Sequence, residues 1–287
     1  MIREVVRHAN AKINLTLDVT GKRPDGYHLV EMVMQSVELG DTVRIQKTPG
    51  TGICLKMKGC DLPEDQDNIA YRAAQALKIA DVTIEIEKHI PIAAGMAGGS
   101  TDAAAVLLGC NELFELGYSS EELCDLGLKL GADVPFCILG GTMLAEGIGE
   151  KLTKLPPFTL PDGAVILLAR PEAPVSTREV YQKLDAVCPK DHPDTAGMVQ
   201  ALREGDYTGV AARLQNVLEE VTIPMHPVIG RIKEIMKQCG ADGALMSGSG
   251  PTVFGLFSSE EAARAALTRI REEHLTDTVL LTRPAGR

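Results

Sequence analysis

Apolar and polar positions alternate strictly from residue 12 to 19: Ile13, Leu15, Leu17 and Val19 are apolar, and Lys12, Asn14, Thr16 and Asp18 are polar. A period of two predicts a strand with Lys12 and Asn14 on one face. Further strands are predicted over 30–39, 42–47 and 53–57. An Ala-rich segment, 68–79, reads as a helix, and Val82, Ile84 and Ile86 alternate in another strand. Helices are expected over 101–116, with Ser100 as N-cap, and over 119–130, opened by Ser119 or Ser120 and stopped by Gly131. A proline-rich stretch, 155–161, breaks the pattern and marks the expected boundary between domains at 1–157 and 158–287. Beyond it come a strand (164–169), helical segments (196–204, 207–219 and 226–238), strands at 243–246 and 252–257, a helix (260–273) and a strand (278–282). With helices merged the order is β-α-β-β-α-β, the split βαβ or ferredoxin-like arrangement, so the chain is expected to be an α+β protein of two domains.

Composition narrows what such a fold can do. Of 287 residues 45% are apolar, but Trp is absent and aromatics are 3%, so the core must be aliphatic. The formal net charge of −10 disfavours a nucleic-acid partner, which needs a basic surface, yet leaves room for a nucleotide held by a few lysines and backbone amides. Seven scattered Cys form no C-x-x-C and read as free thiols of a reducing compartment. Six His show no H-x-x-x-H pair, which argues against zinc. The polar first ten residues and the lack of any run of about 20 apolar residues point to a cytoplasmic protein with no membrane partner. The chain carries no sign of oligomeric state.

The strand at 82–86 runs into Pro91-Ile92-Ala93-Ala94-Gly95-Met96-Ala97-Gly98-Gly99-Ser100-Thr101. Glycines allow close backbone approach to an anion, and the helix that follows aims free N–H groups and the positive end of its dipole at the loop. No Lys follows the glycines, so it is not a Walker A loop, and it is not G-x-G-x-x-G. An ordinary strand-to-helix turn is the alternative. A kinase also needs a proton acceptor and positive charge near the transferred group. Asp133 and Lys12 qualify by type, although each also fits a plainer reading, as a turn-capping Asp and as a solvated strand-edge Lys. The run Ser247-Gly248-Ser249-Gly250-Pro251-Thr252 reads as a hairpin turn and as a second wall for a phosphate.

Taken together, the lysine strand, the P-x-x-x-G-x-x-G-G-S-S/T loop and the C-terminal glycine turn resemble the GHMP kinase superfamily. Ala11 to Leu15, then Arg23-Pro24-Asp25-Gly26-Tyr27-His28, and Leu130 to Phe136 look like the 4-diphosphocytidyl-2-C-methyl-D-erythritol kinase family. The resemblance implies an N-terminal ribosomal-protein-S5-domain-2-like domain and a C-terminal ferredoxin-like one. It implies ATP with Mg²⁺, and a small-molecule substrate carrying a cytidine diphosphate whose 2-hydroxyl is phosphorylated in non-mevalonate isoprenoid synthesis. Asp133 matches the family's catalytic base and Lys12 the lysine paired with it. Tyr27, His28 and Tyr181 match positions that hold the cytosine, Asn14 a substrate-placing position, and Asn68 and Lys88 the adenine pocket. Residues 91–101 match the ATP phosphate loop. Ser100 and Thr101 are the hydroxyl candidates for a metal, with no acidic partner evident. Ala97 stands where many members have Gly, which shifts the expected phosphate contacts to Gly98, Gly99 and Ser100. Rival readings are a homoserine- or mevalonate-type kinase of the same superfamily and a catalytically silent nucleotide-binding regulator.

Overall fold

The computed structural model describes residues 3–187 and 189–286, so Cys188 lies outside the described residues; Cys54, Cys60, Cys110, Cys137 and Cys239 are free thiols. In chain order the first half comprises β1 (Glu4–Lys22), β2 (His28–Gln46), β3 (Ile53–Lys58), α1 (Ile69–Ala76), β4 (Val82–Glu87), α2 (Gly98–Leu113), α3 (Ser120–Leu128), α4 (Val134–Leu139), β5 (Thr142–Gly147) and β6 (Lys151–Lys154). The second half comprises β7 (Val165–Ala169), α5 (Thr177–Val187), α6 (Thr195–Glu204), α7 (Tyr207–Ala212), β8 (Gln215–Asn216), α8 (Glu219–Met225), α9 (Pro227–Gln238), β9 (Gly243–Met246), β10 (Val253–Phe257), α10 (Glu260–Glu272) and β11 (Val279–Thr282).

The first sheet runs β3-β4-β2-β1-β8, and β5 pairs with β2 and with β6. Its two long strands differ from the sequence expectation. The strand predicted over 12–19 extends from Glu4 to Lys22, and those predicted over 30–39 and 42–47 are one, β2. Gly40 is the reason. It pairs with Asn10 inside the ladder, and a Cβ there would lie 2.7 Å from the Ala9 carbonyl oxygen, so this glycine serves close backbone approach and not a turn. On β1 the polar residues Lys12, Asn14, Thr16 and Asp18 are as buried as the apolar residues between them, with α2 and α4 packed on the strand.

The second sheet runs β11-β7-β10-β9, antiparallel throughout, which is the order of a ferredoxin-like domain. One face carries Val165, Leu167 and Ala169 against Ile229, Ile232, Ile235, Ala263 and Ile270 of α9 and α10. The other face carries Ile166, Leu168, Phe254 and Leu256 against Ile13, Leu15 and Val33 of the first sheet. Burial on both faces explains why these strands are continuous apolar runs without alternation. The predicted helix over 207–219 is instead α7, β8 and α8. Asn216 interrupts it by donating to the Met246 and Gly248 carbonyls, both at 2.8 Å, and β8 joins the first sheet beside Thr16 and Leu17. A third core, under α1 and α2, is built on Ala70, Ala73, Ala74, Ala103 to Leu107, Ile45 and Ile84. Among the described residues no helix is long and apolar enough to cross a membrane.

Candidate active site

Lys12 sits in mid-strand on β1, 5% exposed. Its Nζ donates to Asn14 Oδ1 at 2.8 Å, the two being on one face as period two requires, and lies 3.9 Å from Asp133 Oδ2. Asp133 is the N-cap residue of α4, but its side chain makes no capping hydrogen bond. The carboxylate therefore faces Lys12 and the cleft instead of the helix end. A structural role for either residue leaves this arrangement unexplained, since a buried ammonium needs a reason to be there.

The phosphate-loop motif enters from β4. Its helix begins at Gly98 and not at Thr101, and Ser100 is its third residue and not its N-cap. Ala97 is the N-cap in the left-handed region (φ 59°), as is Ala93 (φ 51°), two of the few non-glycine residues with positive φ. The amide of Thr101 bonds back to Ala97, which leaves the amides of Gly98, Gly99 and Ser100 as the first-turn donors that a helix cannot satisfy itself. Gly95, Ala97 and Ser100 line the cleft. The side chains of Ala94 and Met96 point into the core, and Ile92 is exposed. Of the two hydroxyls, only Ser100 faces the cleft; Thr101 is buried and donates to the Asn10 carbonyl at 2.7 Å.

The glycine turn 247–250 is packed against this loop. Ser247 Oγ donates to the Gly95 carbonyl at 3.0 Å, Lys12 N donates to the Met96 carbonyl at 3.2 Å, and Gly248 and Ser249 line the cleft. Lysine strand, phosphate loop and C-terminal turn thus meet at one point. Gly95 makes the meeting possible. It has φ 72°, and a Cβ there would lie 2.4 Å from the Ser247 carbonyl oxygen and 2.9 Å from that of Gly250. Both obstacles are backbone, so Gly95→Ala is expected to cost about 1–3 kcal/mol of stability and to raise KM for ATP. Urea midpoints and steady-state kinetics measure both, and unchanged values would contradict the packing role.

At the far end of the cleft, Arg23 N closes a tight turn. It donates to the Tyr27 carbonyl at 2.7 Å, and Gly26 N donates to the Arg23 carbonyl at 2.9 Å. The turn leaves Tyr27 62% exposed as a free aromatic face. His28 lies 5.0 Å from Tyr181, ring centre to ring centre, at 38°. Burial raises the Tyr181 phenol, and the charge of Asp133 raises it further, so the aromatic end and the Lys12–Asp133 end share one field. Helix α5, which carries Tyr181, was not predicted, although Ser176-x-x-Glu179 is the capping pattern that announces such a helix, and Glu179 N does donate to Ser176 Oγ. Missed with it were Asp185, which bonds both His28 and Lys22, and Thr177, whose hydroxyl meets that of Ser249 at 2.8 Å.

Asn68 and Lys88 do not line the cleft. Asn68 caps α1, accepting from Ala70 N at 2.9 Å and donating to the Pro63 carbonyl at 2.8 Å. Lys88 lies beneath the loop, bonded to Asp41 and, at 2.7 Å, to Asp102. Burial pushes the Asp102 carboxyl up to about 8, and Asp41 adds to the push against the pull of Lys88.

The cleft that unites these groups has a volume of about 1110 Å³, large for a small-molecule site. Among the described residues no group of three His, Cys, Asp or Glu could hold a metal ion unaided.

The GHMP kinases N terminal domain matches residues 68–141 and the GHMP kinases C terminal domain residues 198–275. A 4-diphosphocytidyl-2-C-methyl-D-erythritol kinase of Clostridium botulinum (strain Eklund 17B / Type B) is 46% identical over 96% of this chain and 98% of its own. The enzyme of that name from Clostridioides difficile (strain 630) is 50% identical over 89% of this chain and 87% of its own. Among solved structures, a 4-(cytidine 5'-diphospho)-2C-methyl-D-erythritol kinase superposes with a TM-score of 0.80 at 32% identity, covering 98% of this chain and all of that one. A homoserine kinase from Cytophaga hutchinsonii shares the fold, with a TM-score of 0.76 at 20% identity, covering 99% of this chain and 96% of that one.

Proposed function

The chain belongs to the GHMP kinases and, within them, to the 4-diphosphocytidyl-2-C-methyl-D-erythritol kinase family, and on that basis we propose how its cleft transfers phosphate from ATP to the 2-hydroxyl of the cytidine-diphosphate alcohol. The observation that carries the reading is the Lys12–Asp133 pair, seated between a set of free helix-terminal amides and an aromatic–histidine pocket. The amides of Gly98, Gly99 and Ser100 hold the β- and γ-phosphates. Tyr27, His28 and Tyr181 hold the cytosine, and Asn14 helps to place the alcohol. Asp133 takes the proton of the 2-hydroxyl as that oxygen bonds to the γ-phosphorus, while the bond from the γ-phosphorus to the bridging oxygen breaks and its electron pair leaves with ADP. Lys12 orients Asp133 and offsets the charge that develops on the transferring group.

Mg²⁺ neutralises the nucleotide's phosphates when bound. The Ser100 hydroxyl, which faces the cleft, is the loop oxygen that would be available to the ion. Free thiols at Cys54, Cys60, Cys110, Cys137 and Cys239 support a cytosolic setting.

The test is ADP release with three alcohols. Turnover is expected with 4-diphosphocytidyl-2-C-methyl-D-erythritol and only background with homoserine or mevalonate. Equal or greater turnover with either of the latter would overturn the substrate assignment.

A further inference from the structure

The aromatic end of the cleft holds a charged cluster for which phosphoryl transfer has no use. Tyr181 and Asp185 are one turn apart on α5 and share a face. Asp185 Oδ1 lies 2.7 Å from His28 Nε2, and Asp185 Oδ2 accepts from Lys22 Nζ at 2.6 Å. One helix therefore supports His28 twice, by a ring contact and by a carboxylate.

The chemistry of this carboxylate decides the state of the imidazole. The hydrogen bonds from Lys22 and then His28 hold Asp185 below the usual carboxylate range, so it is ionised and can only accept. The ring nitrogen facing it must carry the hydrogen. A neutral ring with its hydrogen on Nε2 has a lone pair on Nδ1, and among the described residues none is hydrogen-bonded there.

We infer that Asp185 is a positioning residue for base selection: it locks His28 in the Nε2–H tautomer and presents Nδ1 as an acceptor for the 4-amino group of cytosine. Uracil offers a carbonyl oxygen at that position and sets lone pair against lone pair. The inference rests on the reading of His28 as a base-holding residue.

The test compares kcat/KM for the cytidine-diphosphate alcohol with that for its uridine analogue, together with ¹⁵N spectra of His28. The wild type is expected to show Nε2–H. In Asp185→Asn the side-chain amide can donate to Nε2, which frees the other tautomer. The cytidine-over-uridine ratio is expected to fall at least about tenfold, through KM, with kcat within about threefold. Asp185→Glu should recover part of the ratio. A wild-type spectrum showing Nδ1–H would overturn the inference without any variant. So would an unchanged ratio in Asp185→Asn while His28→Ala still raises KM for the cytidine substrate. If His28→Ala leaves that KM unchanged, the base does not sit at His28, and the reading of the site fails at the earlier step.

Discussion

Asp133→Asn is expected to lower kcat by about 10²- to 10⁴-fold while leaving ATP affinity and the unfolding midpoint near their wild-type values. The substitution keeps shape and removes basicity. Asp133 opens α4 through its backbone, in the right-handed helical region, and its side chain caps nothing, so Asn changes no helix-end hydrogen bond. Lys12 retains Asn14 Oδ1 at 2.8 Å, so the ammonium is not orphaned in the interior. On the proposed mechanism, what is lost is the acceptor for the hydroxyl proton. The phosphoryl-transfer transition state is loose, so the alcohol needs orienting early and loses its proton late. Asn preserves the first of these in part, which is why the effect spans two decades in expectation. Single-turnover transfer and equilibrium ATP binding separate the two contributions. A kcat within fivefold of wild type would remove Asp133 from the chemistry.

Residues that carry local patterns were legible in the sequence. Period-two alternation put Lys12 and Asn14 on one face, and they are hydrogen-bonded. The β-α-β-β-α-β order of the second half is the β7, β9, β10 and β11 arrangement observed. What was not legible depended on tertiary context. Alternation on β1 left open a solvated strand-edge Lys12, but Lys12 is 5% exposed and Asn14 and Thr16 are fully buried, Thr16 Oγ1 accepting from Val33 N at 3.0 Å. Propensity placed Gly98 and Gly99 outside the helix and Ser100 at its cap. The helix absorbs both glycines because Ala97 takes the left-handed position. Asp185 belongs to no motif. It becomes visible only once α5 brings it to a histidine 157 positions away. The 142–154 hairpin was missed for a related reason: β5 forms by pairing with the distant β2, and its own run is short.

Lys88→Met is expected to destabilise the fold by about 3–5 kcal/mol near neutral pH, by leaving the buried Asp41 and Asp102 side chains without their cation. Lys88 is nearly fully buried. Burial opposes its charge, but Asp102 and Asp41 outweigh that and hold the ammonium above its usual range. Asp41 is further tied to the amides of His89 and Ile90, whereas Asp102 has a buried oxygen, Oδ1, with no partner among the described residues. The pH dependence follows. Above about pH 4 the unfolded Asp102 is ionised, while in the folded chain it keeps its proton up to about 8. The folded state therefore binds more protons across that window, and stability falls as pH rises from about 4 to about 8 and levels off beyond. Removing Lys88 takes away the one group that pulls against this shift. The variant should go on losing stability between about pH 8 and about pH 9.5, where the wild type levels off, and Asp102→Asn in the same chain should recover much of the loss. Urea midpoints at the two pH values measure it, and an equal penalty at both would show that packing, not charge, is what Lys88 supplies. The consequence reaches the active site because Lys88 Nζ lies 3.4 Å from where a Cβ on Gly98 would stand. The first turn of α2, whose amides are proposed to hold the phosphates, rests on this buried triad, so the same variant should also raise KM for ATP.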